Sequence, residues 1–327
     1  MVTSNYLAPD TLAHPLLPGS ESRLKDYYRF VSAQGLRIVE DDSCFWVEKR
    51  KHFWESAPSH RRVVLSPAIA RRLFALGALA IRYTCPDDEG SQTCEYIWDD
   101  KEYGLHSLHK DARRNVRKNM AACTFRPINF ELLIREGCGI NQNVYARQDR
   151  APDFQTDPVQ WKTYIETCNA LPFVEAYGVF LQDRLCAYSL ALFVDDYCYT
   201  FHPYAHSNYL KFYPMNVLIF SLVQQMLQRP RVRCISYGVE SYTSRPTLER
   251  FKIAMGCRKS VLRRQIVVHP LFRPAFTNSG AWLAERALRL FKPALAENFS
   301  SFSRAVRGIP AADKMAHMDS EQPENLT

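Results

Sequence analysis

The chain has 327 residues, 46% of them hydrophobic and 23% charged, with a formal net charge of +8 at pH 7. These values belong to a soluble globular protein long enough for one large domain or two lobes with proper cores, and the basic balance favours anionic partners (phosphates, nucleotides, RNA or anionic lipid) without choosing among them. No run approaches 18 apolar residues, which excludes a membrane-spanning helix, and the N-terminus "MVTSNYLAPDTLAHPLLPGS" lacks the basic and apolar regions of a signal peptide. The ten cysteines are scattered and form no CxxC pair, and several sit in apolar runs, a usage that fits small buried hydrophobes in a reducing cytoplasm.

Residues 1–20, rich in Pro and Ser, read as a loose N-terminus. A first lobe over 21–121 follows. "SRLKDYYRFVSAQG" (22–35) predicts a short helix stopped by Gly35, and "LRIVEDDSCFWVEKRKHFW" (36–54) alternates as strands do. "SPAIARRLFALGALA" (66–80) opens a helix with Ser66 as cap and Pro67 at the first helical position. "IRYTC" and "CEYIW" are further strand candidates around a polar loop at 86–93.

The lobe ends in "LHSLHKDARRNVRKNMAA" (105–122), read as one amphipathic helix. At about 100° per residue, Lys110, Arg113, Arg114, Arg117 and Lys118 share one arc of about 140°, with His106 beside them. Leu105, Leu108, Ala112, Val116 and Met120 fall opposite. Like charges one turn apart repel by a few tenths of a kcal/mol per pair. Asp111 is the one acidic residue among them, so a polyanionic partner would offset the repulsion; the competing reading is a solvated basic face.

From 122 the pattern sharpens. "FRPI" is a short strand; "NFELLIREG" and "NQNVYARQ" read as two helices parted by Gly137 and Gly139; "DPVQWKTYIETCNA" (157–170) is a helix capped by Asp157. "VEAYGVFL" (174–181), "LCAYSLALFV" (185–194) and "YCYTFH" (197–202) are joined by the tight-turn residues "QDR" and "DD", which predicts an antiparallel meander. "PMNVLIFSLVQQMLQ" (214–228) is a helix apolar on most sides, hence buried. A strand (232–239), a helix from Pro246 to Gly256, a strand (259–269) and an amphipathic helix (278–291) follow, the last placing Trp282 among Arg286 and Arg289. The polar tail from 310 is expected to be disordered.

This order of strand, helices, three antiparallel strands, helix, strand, helix and strand resembles the core of the GNAT acyltransferases. The phrases "LKFYPMNVLIFSLVQQML", "ISYGVES" and "TLERFKIAMGC" resemble the FemAB-related branch, whose "FK…FG" helix end appears as Phe251-Lys252 and Met255-Gly256. The resemblance covers about 105–268. It implies an α+β fold with a mixed, largely antiparallel sheet flanked by helices over 122–270, preceded by a smaller GNAT-like or partial lobe and followed by a C-terminal helical segment (271–309). It further implies transfer of an acyl or aminoacyl group to an amine, usually on a cell-envelope or polysaccharide precursor. One departure stands out. Acetyl-CoA-dependent members carry a glycine loop for the cofactor pyrophosphate, and here "HSNYLKFYPMN" contains no glycine. The donor stays open among acyl-CoA, acyl carrier protein and aminoacyl-tRNA.

Candidate site residues follow from both lines of reasoning. Lys211 and Asn216 flank a helix N-terminus, where free N–H groups attract phosphate. Tyr237 and Glu240 emerge at the carboxyl end of a strand, suited to act as acid and base in attack by an amine, with Glu175 as a second candidate base. The resemblance aims Lys252 at a donor phosphate or the acceptor, and makes Arg113, Arg114 and Arg117 the cleft-side cations. The oxyanion would be held by backbone N–H groups near the meander. No spacing suggests a metal: His202 and His206 are separated by Pro203, and Cys85 and Cys94 lack a second pair. The other function class is a non-catalytic polyanion-binding module built on 105–120. The last helix also raises peripheral contact with a membrane.

Overall fold

A computed structural model describes residues 27–42, 44–86, 89–240, 246–291, 299–300, 302–304 and 306–307; the side chains of 283, 284 and 287–291 are not described. The expected loose N-terminus (1–20), the start of the first helix (22–26) and the disordered tail from 310 lie outside those residues.

Among the described residues, eleven strands form one sheet in the order β1-β2-β3-β4-β11-β5-β10-β9-β8-β7-β6. A helical turn over 27–32 and Gly35 (φ +71°) precede a meander of β1 (Ile38–Glu40), β2 (Phe45–Arg50) and β3 (Phe53–Ala57). Helix α1 (Pro67–Ala75) starts where Ser66 Oγ accepts the Ile69 N–H at 3.2 Å. It crosses over to β4 (Ala80–Thr84), which pairs parallel to β3. The same device recurs after β6 (Cys123–Pro127): β7 (Val174–Leu181), β8 (Arg184–Val194) and β9 (Tyr197–Ala205) form the second meander. Helix α5 (Pro214–Leu227) then leads to β10 (Cys234–Val239), parallel to β9. The turn residues Gln182, Asp183 and Asp195 adopt positive φ, the geometry that twists with a hairpin.

The two halves are sewn together by β5 (Ser91–Trp98) and β11 (Arg258–Val268). β11 lies between β4 and β5, and β5 lies between β11 and β10, all antiparallel. Thus a strand from the end of the chain completes the first half, and a strand from the first half borders the second.

Helices cover both faces. On one, α3 (Phe130–Arg147) and α4 (Pro158–Asn169) pack with Trp161, Tyr164 and Tyr188 in a large core that reaches Phe30 and Phe45. On the other, α5 buries nine of its fourteen residues against Tyr96, Trp98, Val179 and Ile235. Full burial of each such aliphatic side chain contributes about 1.5–3 kcal/mol, which explains a helix with almost no polar face. All ten cysteines are free and buried.

Four readings of local structure change. The basic segment is a 3-10 turn (Leu105–Ser107) followed by α2 (Lys110–Asn119), because His109 sends its N–H to Ala254 O at 2.9 Å and breaks the ladder. Met120 is exposed instead of buried. The two helices expected around Gly137 and Gly139 are one, α3; a Cβ at Gly137 would meet Leu133 and Trp161 at 2.9 Å, so glycine there lets α4 approach. β9 runs three residues past His202, which takes φ +52° at a register shift against β8.

Candidate active site

The parallel pair β9/β10 is short. Cys234, Ile235 and Ser236 align with Tyr197, Cys198 and Tyr199, and Thr200 Oγ1 adds a last link to Ser236 O at 3.1 Å. Beyond it the strands part. β9 continues along β8 with the bulge at His202, while β10 bulges against β5 between Ser236 and Val239, where Gly238 takes φ +97°. The carboxyl ends of two parallel strands therefore open into a gap, a usual location for sites in such sheets.

On the α5 side of the gap stands Lys252, carried by α6 (Pro246–Ala254) and 6% exposed. Its Nζ lies 3.9 Å from the ring centre of Tyr96 and 4.9 Å from that of Tyr237. Burial pushes the amine down to about 8, although the charges of Glu249 and Glu240 favour the ammonium. Such an amine is part-neutral near physiological pH and can give or take a proton. Lys259 pairs with Glu249 at the rim. The helix is fixed at its end: Trp98 Nε1 and Tyr103 OH both donate to Met255 O, at 3.0 and 2.8 Å. Gly256 (φ +77°) follows, and a Cβ there would stand 2.7 Å from Ser107 O. Asn216, in the first turn of α5, donates to Met255 Sδ at 3.4 Å. The "FK…MG" phrase is thus a junction of α2, α5 and α6.

On the opposite face, one residue earlier along β5, Glu95 is 3% exposed. Ser236 Oγ donates to its carboxylate at 2.6 Å, and the same oxygen accepts the Gly238 N–H at 3.0 Å. Among the described residues no cation pairs with Glu95. Burial raises its pKa above the usual carboxylate value, against the Ser236 hydroxyl and the more distant charges of His60, Arg264 and Arg233. A few residues along the same face, Asp195 receives a fork from Arg61 (2.8 and 2.8 Å) and His60 Nε2 at 2.9 Å, and His60 Nδ1 bonds the Tyr199 hydroxyl. Although burial opposes it, these partners hold the Asp195 carboxyl far below its ordinary range.

The residues expected from sequence divide between this gap and other places. Tyr237 and Glu240 border it. Tyr237 is half-buried, edge-on to Trp98 at 5.9 Å, and burial raises its hydroxyl pKa. Glu240 is half-buried just past β10, and its N–H donates to Cys94 O at 2.8 Å. Glu175 sits at the far end of α5, about 20 Å of helix from Asn216 at 1.5 Å per residue. There Arg229 forks onto it at 2.8 and 2.7 Å and the Tyr177 hydroxyl also bonds it. Against burial, these partners hold its carboxyl below the ordinary value, the opposite of what a base requires.

Lys211 is exposed in the 3-10 turn Ser207–Phe212, its Nζ 5.1 Å from the Phe212 ring centre. The α5 terminus offers few amides to a phosphate: Pro214 has no N–H, and those of Asn216 and Val217 turn back to Tyr213 O at 3.0 and 3.3 Å. Cations are plentiful beside it. Lys110, Arg113, Arg114, Arg117 and Lys118 line one open concavity on α2. They are not equivalent. Arg113 Nη2 donates to His106 O and Leu108 O at 3.1 and 2.9 Å and clips the turn before the helix, and Arg114 meets Asp111 at 3.1 Å on the surface. Glu95 went unseen in the sequence; its one signal is a lone acid inside the apolar strand "CEYIW".

No protein-family model and no curated protein sequence matches this chain. Solved structures do. The crystal structure of FemX is 11% identical with a TM-score of 0.54, covering 80% of this chain and 98% of that one. The C-terminal domain (DUF2156) of a putative lysylphosphatidylglycerol synthetase from Agrobacterium fabrum is 10% identical with a TM-score of 0.55, covering 82% and 96%. A conserved protein of unknown function from Bacteroides thetaiotaomicron is 8% identical with a TM-score of 0.50, covering 76% and 90%. At these identities the likeness is one of fold: the chain shares the fold of FemX and of that synthetase domain, as its element order led us to expect.

Proposed function

We propose that this protein is an N-acyltransferase that moves an acyl or aminoacyl group from a phosphate-rich donor to an amine. One observation carries the reading: a buried lysine with a lowered pKa, wedged between Tyr96 and Tyr237 where β9 and β10 part. The fold shared with FemX and with a putative lysylphosphatidylglycerol synthetase domain supports it. In this reading the donor carbonyl enters the gap. The acceptor ammonium gives a proton to a carboxylate, and the free amine attacks the carbonyl carbon. The bond to the donor oxygen or sulfur breaks, that leaving atom takes a proton from Lys252 or Tyr237, and the second proton of the attacking nitrogen returns to that residue as the amide forms. Glu240, beside Lys252, is our first candidate for the proton of the ammonium and Glu95, on the other face, the second; Glu175, held ionised by Arg229, is the weaker candidate. In this reading the oxyanion falls to backbone N–H groups near the meander.

Aminoacyl-tRNA suits the donor side better than acyl-CoA. The α5 terminus is poor in free amides and its approach has no glycine, whereas α2 presents a row of cations spanning about 12 Å at 1.5 Å per residue, longer than one pyrophosphate. An amine on a cell-envelope or polysaccharide precursor is the acceptor that the resemblance suggests. A competition assay tests the donor: labelled aminoacyl-tRNA and acetyl-CoA are titrated against the protein at low and high salt. The reading expects salt-sensitive tRNA binding that Arg114→Ala with Arg117→Ala weakens. Tight acetyl-CoA binding without tRNA binding would reverse the choice of donor. RNA binding with no transfer from any donor would favour the polyanion-binding module.

A further inference from the structure

The C-terminal part of the described chain is held largely by aromatic contacts. After β11, the 3-10 segment Pro270–Phe276 and helix α7 (Asn278–Phe291) fold back on each other, with Gly280 so close to the Pro274 carbonyl that a Cβ would overlap it. Phe276 packs on Phe299 and Phe302, and Phe302 packs edge-on against Phe53 of β3. Ala281 is buried. These contacts account for the attachment. They leave Leu271 80% exposed, Phe272 47% and Trp282 57%.

The surroundings repeat this character. Phe272 lies 6.0 Å from His269, whose ring meets Phe74 of α1 at 4.9 Å. Leu76, two residues beyond Phe74, is 40% exposed. The apolar side chains are interleaved with Arg71, Arg72, Arg273 and Arg286, all exposed, and Arg286 lies over the Trp282 ring at 5.3 Å. Over residues 67–77 and 269–286 the only acidic residue is Glu285.

We infer that this region, where Leu76, Leu271, Phe272 and Trp282 are exposed among arginines, docks the protein onto an anionic lipid surface. A protein partner would require acids matched to four separate arginines, and a second copy of this chain offers a single one, Glu285, within the same segments. A sheet of anionic headgroups over hydrocarbon meets both demands at once: arginines stay at headgroup level while Leu, Phe and Trp enter the boundary, the depth at which tryptophan is favoured. The inference is independent of which donor and acceptor the gap takes. It places the protein where an acceptor on a lipid carrier is within reach.

Vesicle co-sedimentation of the full chain tests it, with phosphatidylcholine vesicles as control and phosphatidylcholine–phosphatidylglycerol vesicles as probe. Binding is expected on the anionic vesicles, at least tenfold weaker on the neutral ones and weakened by salt. Leu271→Glu with Phe272→Glu should reduce it at least tenfold while the thermal midpoint stays put, since both side chains are exposed. A blue shift of tryptophan emission on adding anionic vesicles should be present in the wild type and diminished in Trp282→Phe, a substitution mild enough to fold. Absence of binding to anionic vesicles overturns the inference. So does binding that the Leu271/Phe272 variant retains but Arg114→Ala with Arg117→Ala abolishes, because α2 would then be the lipid-facing element. A concentration-dependent dimer in light scattering that the Leu271/Phe272 variant dissolves also overturns it.

Discussion

The sheet contains two parallel strand pairs, each closed by a helix that begins with proline, and they have been put to different uses. In the first pair, β3 and β4 align over Phe53–Glu55 and Ala80–Arg82, and the charged groups between them are matched. Glu55 is met by Arg82 and by Arg264 at 3.5 Å; although burial alone would raise its pKa, these cations hold the carboxyl below its ordinary range. In the second pair the strands part, and the groups at the parting are unmatched. Glu95 is buried with a serine for company, and Lys252 is buried between two tyrosine rings. The helices differ in the same sense: α1 fully buries Leu73 alone, whereas α5 is buried along most of its length. One topological device thus serves once as a structural tie and, in the function proposed above, once as the place of transfer. Compensation of buried charge is what separates them, since an uncompensated buried charge costs stability that a purely structural site has no reason to bear.

Substitution on each side should break this contrast in opposite ways. Lys252→Met keeps the volume and removes the amine. It should lower kcat by roughly 10²–10⁴-fold, the range for loss of a positioned proton donor, with an unchanged or raised thermal midpoint. A variant that unfolds instead would make Lys252 a structural residue and erase the contrast. Arg82→Met, in the first pair, should do the reverse. It leaves Glu55 to Arg264 and the nearby charge of Lys49 and should destabilise by about 1–3 kcal/mol, the cost of removing one partner of a part-buried group, measured by denaturant titration. Transfer by the folded fraction should persist.

Glu95→Gln sharpens the comparison through pH. The folded-state pKa of Glu95 is raised above its unfolded value, so its contribution to stability is full below the unfolded pKa and is lost as pH rises through the folded one. The amide does not titrate. Thermal midpoints of variant and wild type should therefore diverge in favour of the variant as pH climbs from the ordinary glutamate range toward neutrality. If Glu95 is the base, the rise of kcat/KM with pH over that window should vanish as well. Parallel stability profiles would mean that Glu95 is solvated and has no place in the chemistry. Glu175 has the opposite sign: its lowered pKa contributes stability present above the unfolded value and lost as pH falls through the folded one.

The smallest effect on stability belongs to the surface cations. Arg114→Ala with Arg117→Ala should shift unfolding by no more than about 0.5 kcal/mol, because the Arg114–Asp111 pair is exposed and such pairs contribute little. RNA affinity should fall in the same variant, more at low salt than at high salt. Arg113→Ala should cost more, since its guanidinium holds the carbonyls of His106 and Leu108.

Much of this was legible in the chain, element by element. Ser66 and Asp157 mark helix starts that the structure reproduces, and "QDR" and "DD" mark turns whose residues take positive φ. The uniformly apolar run after Pro214 is the most buried helix. The misreadings have local causes too. Gly137 looked like a helix break because its role, admitting Trp161, depends on a helix that follows later in the chain. The 105–122 segment looked like one helix because nothing in its own residues reveals that Ala254 will claim the His109 N–H.

What the sequence by itself determined are the quantities that depend on near neighbours: which stretches are helix or strand, where they start, which faces are apolar, and that a cationic face stands on α2. Capping, turn geometry and periodicity act within a few residues and are written in the order of the chain. What only the tertiary structure decided is the site. Lys252 meets Tyr96 across 156 positions, and Glu95 meets Ser236 across 141. Both encounters exist because β5, from the first half, lies between β10 and β11 from the second. Strand order is a choice among long-range pairings whose hydrogen bonds are alike for every sequence. It is settled by how the whole set of apolar faces packs, and the burial that lowers one pKa and raises another arises only once that packing is complete.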